Sequence, residues 1–549
     1  MIKDSSGIRK TDVINRRMFV IGAAKLIVFS GIVARLFSLQ INDNKKYLTL
    51  SDKNRIREWK LPPTRGEIVD YFGNIIAGNL KVYQLHIIPE QVENFNYLLS
   101  RLKILLELSD KKIAKILKSK NQKKPWESII VSENLSWVQF LKINNYMHDL
   151  VGVKPVMTIS RNYPFSEIYT HVLGYVSQPN ENDILENETI QERFVTGMKV
   201  GKLGLEKRLE NYLIGTNDIQ RYEVNAYGKR INQLEHQRGQ HGSKIRLTVD
   251  TEIQKLSAKL LANKAGSISV MDIYTGDVLA MYSSPSYDPN LFLFGISNDD
   301  WQLIRNNSLK PLINKTLSGL YSPGSTIKPI VALSALENKT VNESFKVRCT
   351  GKTELYGQTF HCWKEKGHGL VNLKDAMKQS CDTYFYEIAR ILGVDKLKIT
   401  AEKFGLGKKV LGEYFENEKQ GLFPNTIWKK NNLGKGWVLG ETLITGIGQG
   451  YTQTTPLQLC LMTAQIANGG YKISPKIIVN NKPLNFQEAK KNMELSSTID
   501  PNLQLIKDEK NLRIVQKAMF SSTNEIRGTS YRSRIDDPKY QFAGKTGTS

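Results

Sequence analysis

The sequence predicts an α+β protein carried on a single N-terminal transmembrane helix, and three patterns predict it. Met18 to Gln40 is mostly apolar for 23 residues, long enough to span a bilayer. Ahead of the second domain, Pro62 to Asn74 alternates turn residues with short β-prone runs. Residues 244–549 open on strand and hairpin patterns and continue in helical ones, as an antiparallel sheet flanked by helices would. A chain of 549 residues has room for two or three domains, so one domain is expected to carry the chemistry. The net charge of +24 would suit nucleic acid, yet Lys and Arg are scattered and no nucleic-acid motif accompanies them, which excludes nucleic acid as a partner. Basic surface facing acidic lipid headgroups or wall polymers would use the same attraction.

Residues 1–17 are polar, end in Arg16-Arg17 and read as a cytoplasmic tail. Lys25 and Arg35 interrupt the apolar run at 18–40, a tolerable cost if each snorkels to its own headgroup layer. No small-x-small site precedes a polar region, so the segment is an uncleaved anchor and not a signal peptide. Charge does not orient it, because Lys45, Lys46, Lys53, Arg55 and Arg57 balance the basic residues on the other side. Within 41–243, Phe95 to Ser119 has Leu98, Leu99, Leu102, Leu105 and Leu106 at helical spacing. His171, beside Val172, Leu173 and Tyr175, is expected to be structural. The second domain begins near Lys244, with Ile245 to Val249 as a strand and Asp250 capping a helix over Ile253 to Leu261. Ile268 to Tyr274 and Asp277 to Ser283 then form a hairpin about Thr275-Gly276, and helices dominate from Leu373 to Gly393.

The chemistry centres on Tyr321 to Pro329, which reads Tyr-Ser-Pro-Gly-Ser-Thr-Ile-Lys-Pro before the apolar run Ile330 to Leu336. A helix starting near Gly324 places Ser325 and Lys328 one turn apart on one face, so an amine can take the proton of a nucleophilic hydroxyl. Free amides of the first helical turn would stabilise an oxyanion formed by that attack. Ser-x-x-Lys alone is weak evidence, because Ser100-Arg-Leu-Lys103 and Ser109-Asp-Lys-Lys112 match it on a predicted surface helix. Context separates the third match. Ser380-Cys381-Asp382 and Lys545-Thr546-Gly547-Thr548 follow in order, and Lys-Thr-Gly occurs once in the chain. This ordered trio is the known signature of class A β-lactamases and penicillin-binding proteins, matched here and not deduced.

On these motifs the chain resembles class B penicillin-binding proteins of the elongation type, over nearly its whole length. Pro62-Pro-Thr-Arg65-Gly66 through Asp70 to Asn74, Arg161-Asn-Tyr-Pro164, and Gly201-Lys-Leu-Gly204-Leu-Glu206 resemble the family's non-catalytic pedestal. The glycine-rich run Gly440 to Tyr451 lacks a Gly-Lys-[Ser/Thr] ending and resembles the turn flanking the family's active site, before a helix over Pro456 to Ala467. The resemblance implies an elongated, β-rich pedestal at 41–243 and a transpeptidase domain at 244–549, acting on peptidoglycan stem peptides that end in D-Ala-D-Ala. Ser325 would form the acyl-enzyme with Lys328 as base, Ser380 would pass a proton to the leaving amine, and Lys545 would set the electrostatics. Asp382 stands where many relatives have Asn and would need a cationic neighbour such as Lys328. Backbone amides of Ser325 and Thr548 would hold the oxyanion, with Thr546, Gly547 and Thr548 lining the substrate strand. β-Lactams would trap Ser325. The resemblance also implies an inner-membrane protein with its bulk in the periplasm, partnered by the membrane glycosyltransferase and a scaffold of the elongation complex. A D,D-carboxypeptidase or a β-lactam sensor would share the trio without the anchor and pedestal. The sequence stops at Ser549, where the family continues with further strands, which implies an incomplete domain after the Lys-Thr-Gly strand, impaired in acylation or serving only as a scaffold.

Four cysteines remain, at 349, 362, 381 and 460. A Cys349–Cys362 disulfide suits an oxidising periplasm. Alternatively Cys349, Cys362, His368 and Cys381 make a Cys₃His set suited to one structural zinc, and the resemblance points the same way, since some relatives carry a metal beside the second motif. His361 is the competing ligand, but neighbours on an extended chain point opposite ways. No organic cofactor is expected.

Overall fold

The computed structural model describes residues 7–42, 56–125, 127–195, 197–224, 230–479 and 503–548. Lys45, Lys46, Lys53, Arg55 and the terminal Ser549 of the sequence reading lie outside these residues. Gly7–Phe37 is one helix, longer at its amino end than the apolar run alone predicts, followed by a wider helical turn at Ser38–Asn42. Its stretch Arg16–Ile41 spans 26 residues at mean hydropathy 1.9, long and apolar enough to cross a membrane.

The chain divides into two compact units. The first comprises Met1–Pro63, Gln84–Val156 and Thr216–Gln240. In it Ile56–Leu61 pairs antiparallel with Asp218–Val224, which pairs with Arg230–Gln237. Arg221 bonds Glu58 on one neighbour at 3.0 Å and Glu235 on the other at 2.6 Å, a cross-strand ladder of opposite charges. The helix expected over Phe95 to Ser119 is two helices, Phe95–Leu106 and Asp110–Gln122. Glu107 ends the first in a left-handed conformation, and the Ser109 hydroxyl starts the second by accepting from Lys112 N. That Ser-x-x-Lys match is therefore a helix cap. In the other, the Ser100 hydroxyl donates to Asn96 O on an exposed face.

The second unit comprises Thr64–Tyr83, Met157–Gly215 and His241–Ser549. The three pedestal segments singled out in the sequence meet here in a buried charge cluster. Arg65 donates to Glu206 and Glu210, Arg161 donates to Glu206 at 2.7 Å, and the Tyr163 hydroxyl donates to the same carboxylate. Burial alone would raise the Glu206 pKa, but Arg161 and Arg65 outweigh it and hold the carboxylate ionised. Asp70 organises its turn by accepting from Phe72 N and Asn74 N, which explains why a Gly73-Asn74 turn serves here. His171 is half-buried edge-to-face against Tyr287, and its pKa falls to about 4 by desolvation and then by the nearby charge of Lys315.

The strand expected over Ile245 to Val249 is only Ile245–Arg246, parallel to Ile68–Val69. Asp250 caps Thr251–Leu260 as expected, accepting from Glu252 N and Ile253 N. The hairpin is Gly266–Met271 with Val278–Ser284, and its turn is longer than Thr275-Gly276 because Asp272 closes an Asx turn onto Tyr274 N and Thr275 N. Behind the active site runs Lys328–Glu337, buried from Lys328 to Leu336 and packed by Asp382–Leu392, Val394–Lys403 and Glu509–Asn524. Residues 541–548 belong to no hydrogen-bonded strand, contrary to the expected Lys-Thr-Gly strand.

Candidate active site

The segment that carries Ser325 is a tight 3₁₀ turn, Gly324–Ile327, feeding the helix that begins at Lys328, and not a regular helix from Gly324. In such a turn residues three apart eclipse, so Ser325 and Lys328 still share a face. Tyr321 pairs in both directions with Thr454, and Gly324 N donates to Gly448 O at 2.9 Å, fixing the turn against the glycine-rich run. Gly324 has φ +55°, and a Cβ there would strike the Thr548 backbone. A Cβ on Gly448 would strike Gly324, and one on Gly547 would fall 2.6 Å from Thr326 Cγ2. Three glycines thus let the flanking run, the nucleophile turn and the Lys-Thr-Gly segment approach backbone to backbone.

Lys328 is fully buried. Its Nζ donates to Asp382 Oδ1 at 2.7 Å, Ser380 O at 2.9 Å and Ser380 Oγ at 3.2 Å, which engages all three donors of an ammonium. Burial lowers the pKa of this amine, and Asp382 opposes the shift. Lys545 Nζ donates to Ser380 Oγ at 3.0 Å, so this hydroxyl sits between two lysine nitrogens. Burial, and then repulsion from Lys328, brings the Lys545 pKa down to about 7.

Ser380 itself has φ +54°, in the left-handed region a serine adopts only at a cost of about 1–3 kcal/mol. It interrupts the helical stretch expected from Leu373 to Gly393, which is really Leu373–Lys378 and Asp382–Leu392. The break turns Ser380 toward both lysines. Trp363 braces it, a residue that the sequence reading missed although it adjoins Cys362. Its ring N–H donates to Gln379 O at 3.0 Å and Ser380 O at 3.1 Å, and its backbone N–H donates to Asp382 Oδ2 at 3.0 Å.

Immediately behind this brace, the ligand atoms of Cys349, Cys362, His368 and Cys381 all lie within 4.8 Å of one another. All four cysteines of the chain are free thiols in this structure. His368 Nδ1 lies 3.6 Å from both Cys349 Sγ and Cys362 Sγ. A sulfur–nitrogen edge of a tetrahedral zinc site, with bonds of about 2.3 and 2.1 Å, is about 3.6 Å. These two edges have the length a zinc ion requires. Thr383 Oγ1, 3.4 Å from Cys349 Sγ, stands where a ligand-orienting hydroxyl would. The hydrogen bond between Cys362 and Cys381 lowers the pKa of the first thiol and raises that of the second, so the pair holds one thiolate more readily than two. His361 ends the preceding strand with its side chain exposed, outside the cluster.

Residues 266–549 match the penicillin-binding protein transpeptidase domain, and residues 60–247 match the penicillin-binding protein dimerisation domain. The peptidoglycan D,D-transpeptidase MrdA of Escherichia coli K12 is 34% identical over 540 residues, covering 97% of this chain and 84% of the relative. The chain belongs to the penicillin-binding protein 2 family of peptidoglycan D,D-transpeptidases. Among solved structures, the Helicobacter pylori penicillin-binding protein 2 in complex with MreC matches with TM-score 0.74 and 30% identity, over 90% of this chain and 89% of that one. A component of a peptidoglycan synthase complex that coordinates polymerisation and crosslinking matches with TM-score 0.67 and 25% identity, over 97% and 88%. Membership of the penicillin-binding protein 2 family makes cell-wall crosslinking the activity, and β-lactams its inhibitors.

Proposed function

We propose that this transpeptidase works through an acyl-enzyme on Ser325, with Lys328, Ser380 and Lys545 moving and holding the protons. The observation that carries the reading is Ser380 Oγ, held 3.2 Å from Lys328 Nζ and 3.0 Å from Lys545 Nζ beside the Ser325 turn. A neutral Lys328 keeps two N–H donors, enough for Asp382 and Ser380, and frees its lone pair for the Ser325 proton. Its burial favours that neutral form. Ser325 Oγ adds to the penultimate carbonyl of a D-Ala-D-Ala stem, and amides at Ser325 and Thr548 receive the oxyanion. As the C–N bond breaks, Ser380 Oγ gives its proton to the departing amine and takes one from the Lys328 ammonium beside it, so the proton taken from Ser325 leaves on D-Ala. A neighbouring stem amine then attacks the acyl carbonyl and loses a proton through the same groups to the Ser325 oxygen, which leaves as the free hydroxyl. Thr546 and Thr548 meet the substrate carboxylate, with Gly547 keeping the backbone close.

Cys349, Cys362, His368 and Cys381 hold one zinc in this reading. Bound there, the ion supplies a crosslink between the loop carrying Trp363 and the start of the Asp382 helix. The bulk of the chain lies outside the membrane, anchored by the helix at Arg16–Ile41, and works with a membrane glycosyltransferase and a scaffold of the elongation complex. The Helicobacter pylori relative in complex with MreC supports the scaffold, and the synthase-complex relative supports the polymerase.

The test is crosslinking itself. The full chain, reconstituted with a glycan polymerase and lipid-linked precursor, should give dimeric muropeptides that benzylpenicillin suppresses. Monomeric tetrapeptides accumulating without dimers would instead mark a D,D-carboxypeptidase.

A further inference from the structure

The segment between the Glu509–Asn524 helix and Lys545 is joined by one residue, Thr529, to the chain just before Ser380 through its backbone and to the Lys-Thr-Gly segment through its side chain. Thr529 N donates to Lys378 O at 3.1 Å, two residues before Ser380. Thr529 Oγ1 accepts from Thr546 Oγ1 at 2.8 Å and lies 3.2 Å from Ser522 Oγ, which is fully buried. The segment that presents Thr529 is rigidly built. Arg527 has φ +70°, a Cβ on Gly528 would strike the Ser522 carbonyl, and Ser530 N donates to Ser522 O at 3.1 Å. Glu525, at its start, bonds Lys374 at 2.7 Å and Lys378 at 3.2 Å. The hydroxyls of Ser522, Thr529 and Thr546 therefore form a row from the core to the Lys-Thr-Gly segment.

We propose that Thr529 is a positioning residue for the ligand carboxylate, acting through the Thr546 hydroxyl. The inference rests on the reading of Thr546 as a carboxylate contact. Without ligand, Thr546 donates inward to Thr529. A hydroxyl has one proton, so Thr546 must turn it outward to meet a carboxylate, and the row then reverses: Ser522 donates to Thr529, Thr529 to Thr546, and Thr546 to the ligand. No proton leaves its oxygen. Thr529, in the middle, keeps one donation and one acceptance in both directions, and a chain aimed at an anion is strengthened cooperatively. Neither Ser522 nor Thr529 touches the ligand.

The experiment compares benzylpenicillin with its methyl ester, reading the rate of acyl-adduct formation by intact-protein mass spectrometry on the full chain in detergent. Thr529→Val keeps the shape and removes the relay. It should slow benzylpenicillin about tenfold and leave the ester within about twofold of the parent, the difference expected for a hydrogen bond to a charged group. Thr529→Ser restores the hydroxyl and should return the benzylpenicillin rate to within about threefold of the parent. Ser522→Ala, at the far end of the row, should give the same carboxylate-selective loss at about threefold, which keeps the test decisive if the valine variant does not fold. Equal losses on both ligands, or no loss in Thr529→Val and Ser522→Ala, overturn the relay. Ser325→Ala run alongside separates the two levels. An adduct forming on that variant would defeat the acyl-enzyme reading, whereas no adduct there with unchanged relay variants would defeat only the role of Thr529.

Discussion

Lys328 Nζ lies 2.7 Å from Asp382 Oδ1, with Lys328 buried and Asp382 almost so. Asp382 raises the pKa of an amine that burial lowers, and so sets the pH at which Lys328 becomes a neutral base. Asp382→Asn keeps the accepting oxygen and removes the charge. The acid limb of the acylation rate against pH should then move to lower pH, because burial acts unopposed. Asp382→Ala leaves a buried amine without either partner and should slow acylation about tenfold or more. A limb that stays in place in Asp382→Asn would show that Lys328 is not the group titrating.

Metal analysis by mass spectrometry should find about one zinc per chain, held by Cys349, Cys362, His368 and Cys381. Removing it with a chelator, or replacing Cys381 by serine, should slow acylation about tenfold while Ser325 still reacts, since the ion acts through Trp363 and the Ser380 turn. Trp363→Phe, which loses the ring donor to Gln379 and Ser380, should slow the same step about threefold to tenfold without losing zinc. Protein free of metal with a Cys349–Cys362 crosslink in its peptide map would remove zinc from the account.

Lys545 gives a second, independent limb. Its pKa is lowered to about 7, so the ammonium that draws a carboxylate loses its proton as pH rises through that value. Acylation by a carboxylate-bearing penicillin should therefore decline above about pH 7. Lys545→Arg carries a guanidinium that stays charged, and its decline should disappear. An identical alkaline limb in both proteins would assign it elsewhere.

Much of this was legible in sequence, and what was not has physical causes. Ser325, Lys328 and Asp250 announce themselves by local spacing or capping chemistry, which a linear sequence carries. The break at Glu107 was hidden because the leucine periodicity runs on to Leu106 and resumes with Ile113 and Ile116 after a cap that any Ser-x-x pattern resembles. The left-handed Ser380 follows from Trp363, Lys328 and Lys545 closing on it from 17, 52 and 165 positions away, and no local propensity reports that. Thr529 is of the same kind: its partners Lys378 and Thr546 lie on different segments, and only folding brings them to one residue.

The central claim is that Ser325 alone carries the acyl group, and peptide mapping of the benzylpenicillin adduct tests it most directly. The account predicts the adduct mass on the peptide containing Ser325, none in Ser325→Ala, and unchanged labelling in Ser100→Ala and in Ser109→Ala, which should lose only about 1 kcal/mol of local helix stability. An adduct that persists in Ser325→Ala, or that maps to Ser100 or Ser109, would contradict it.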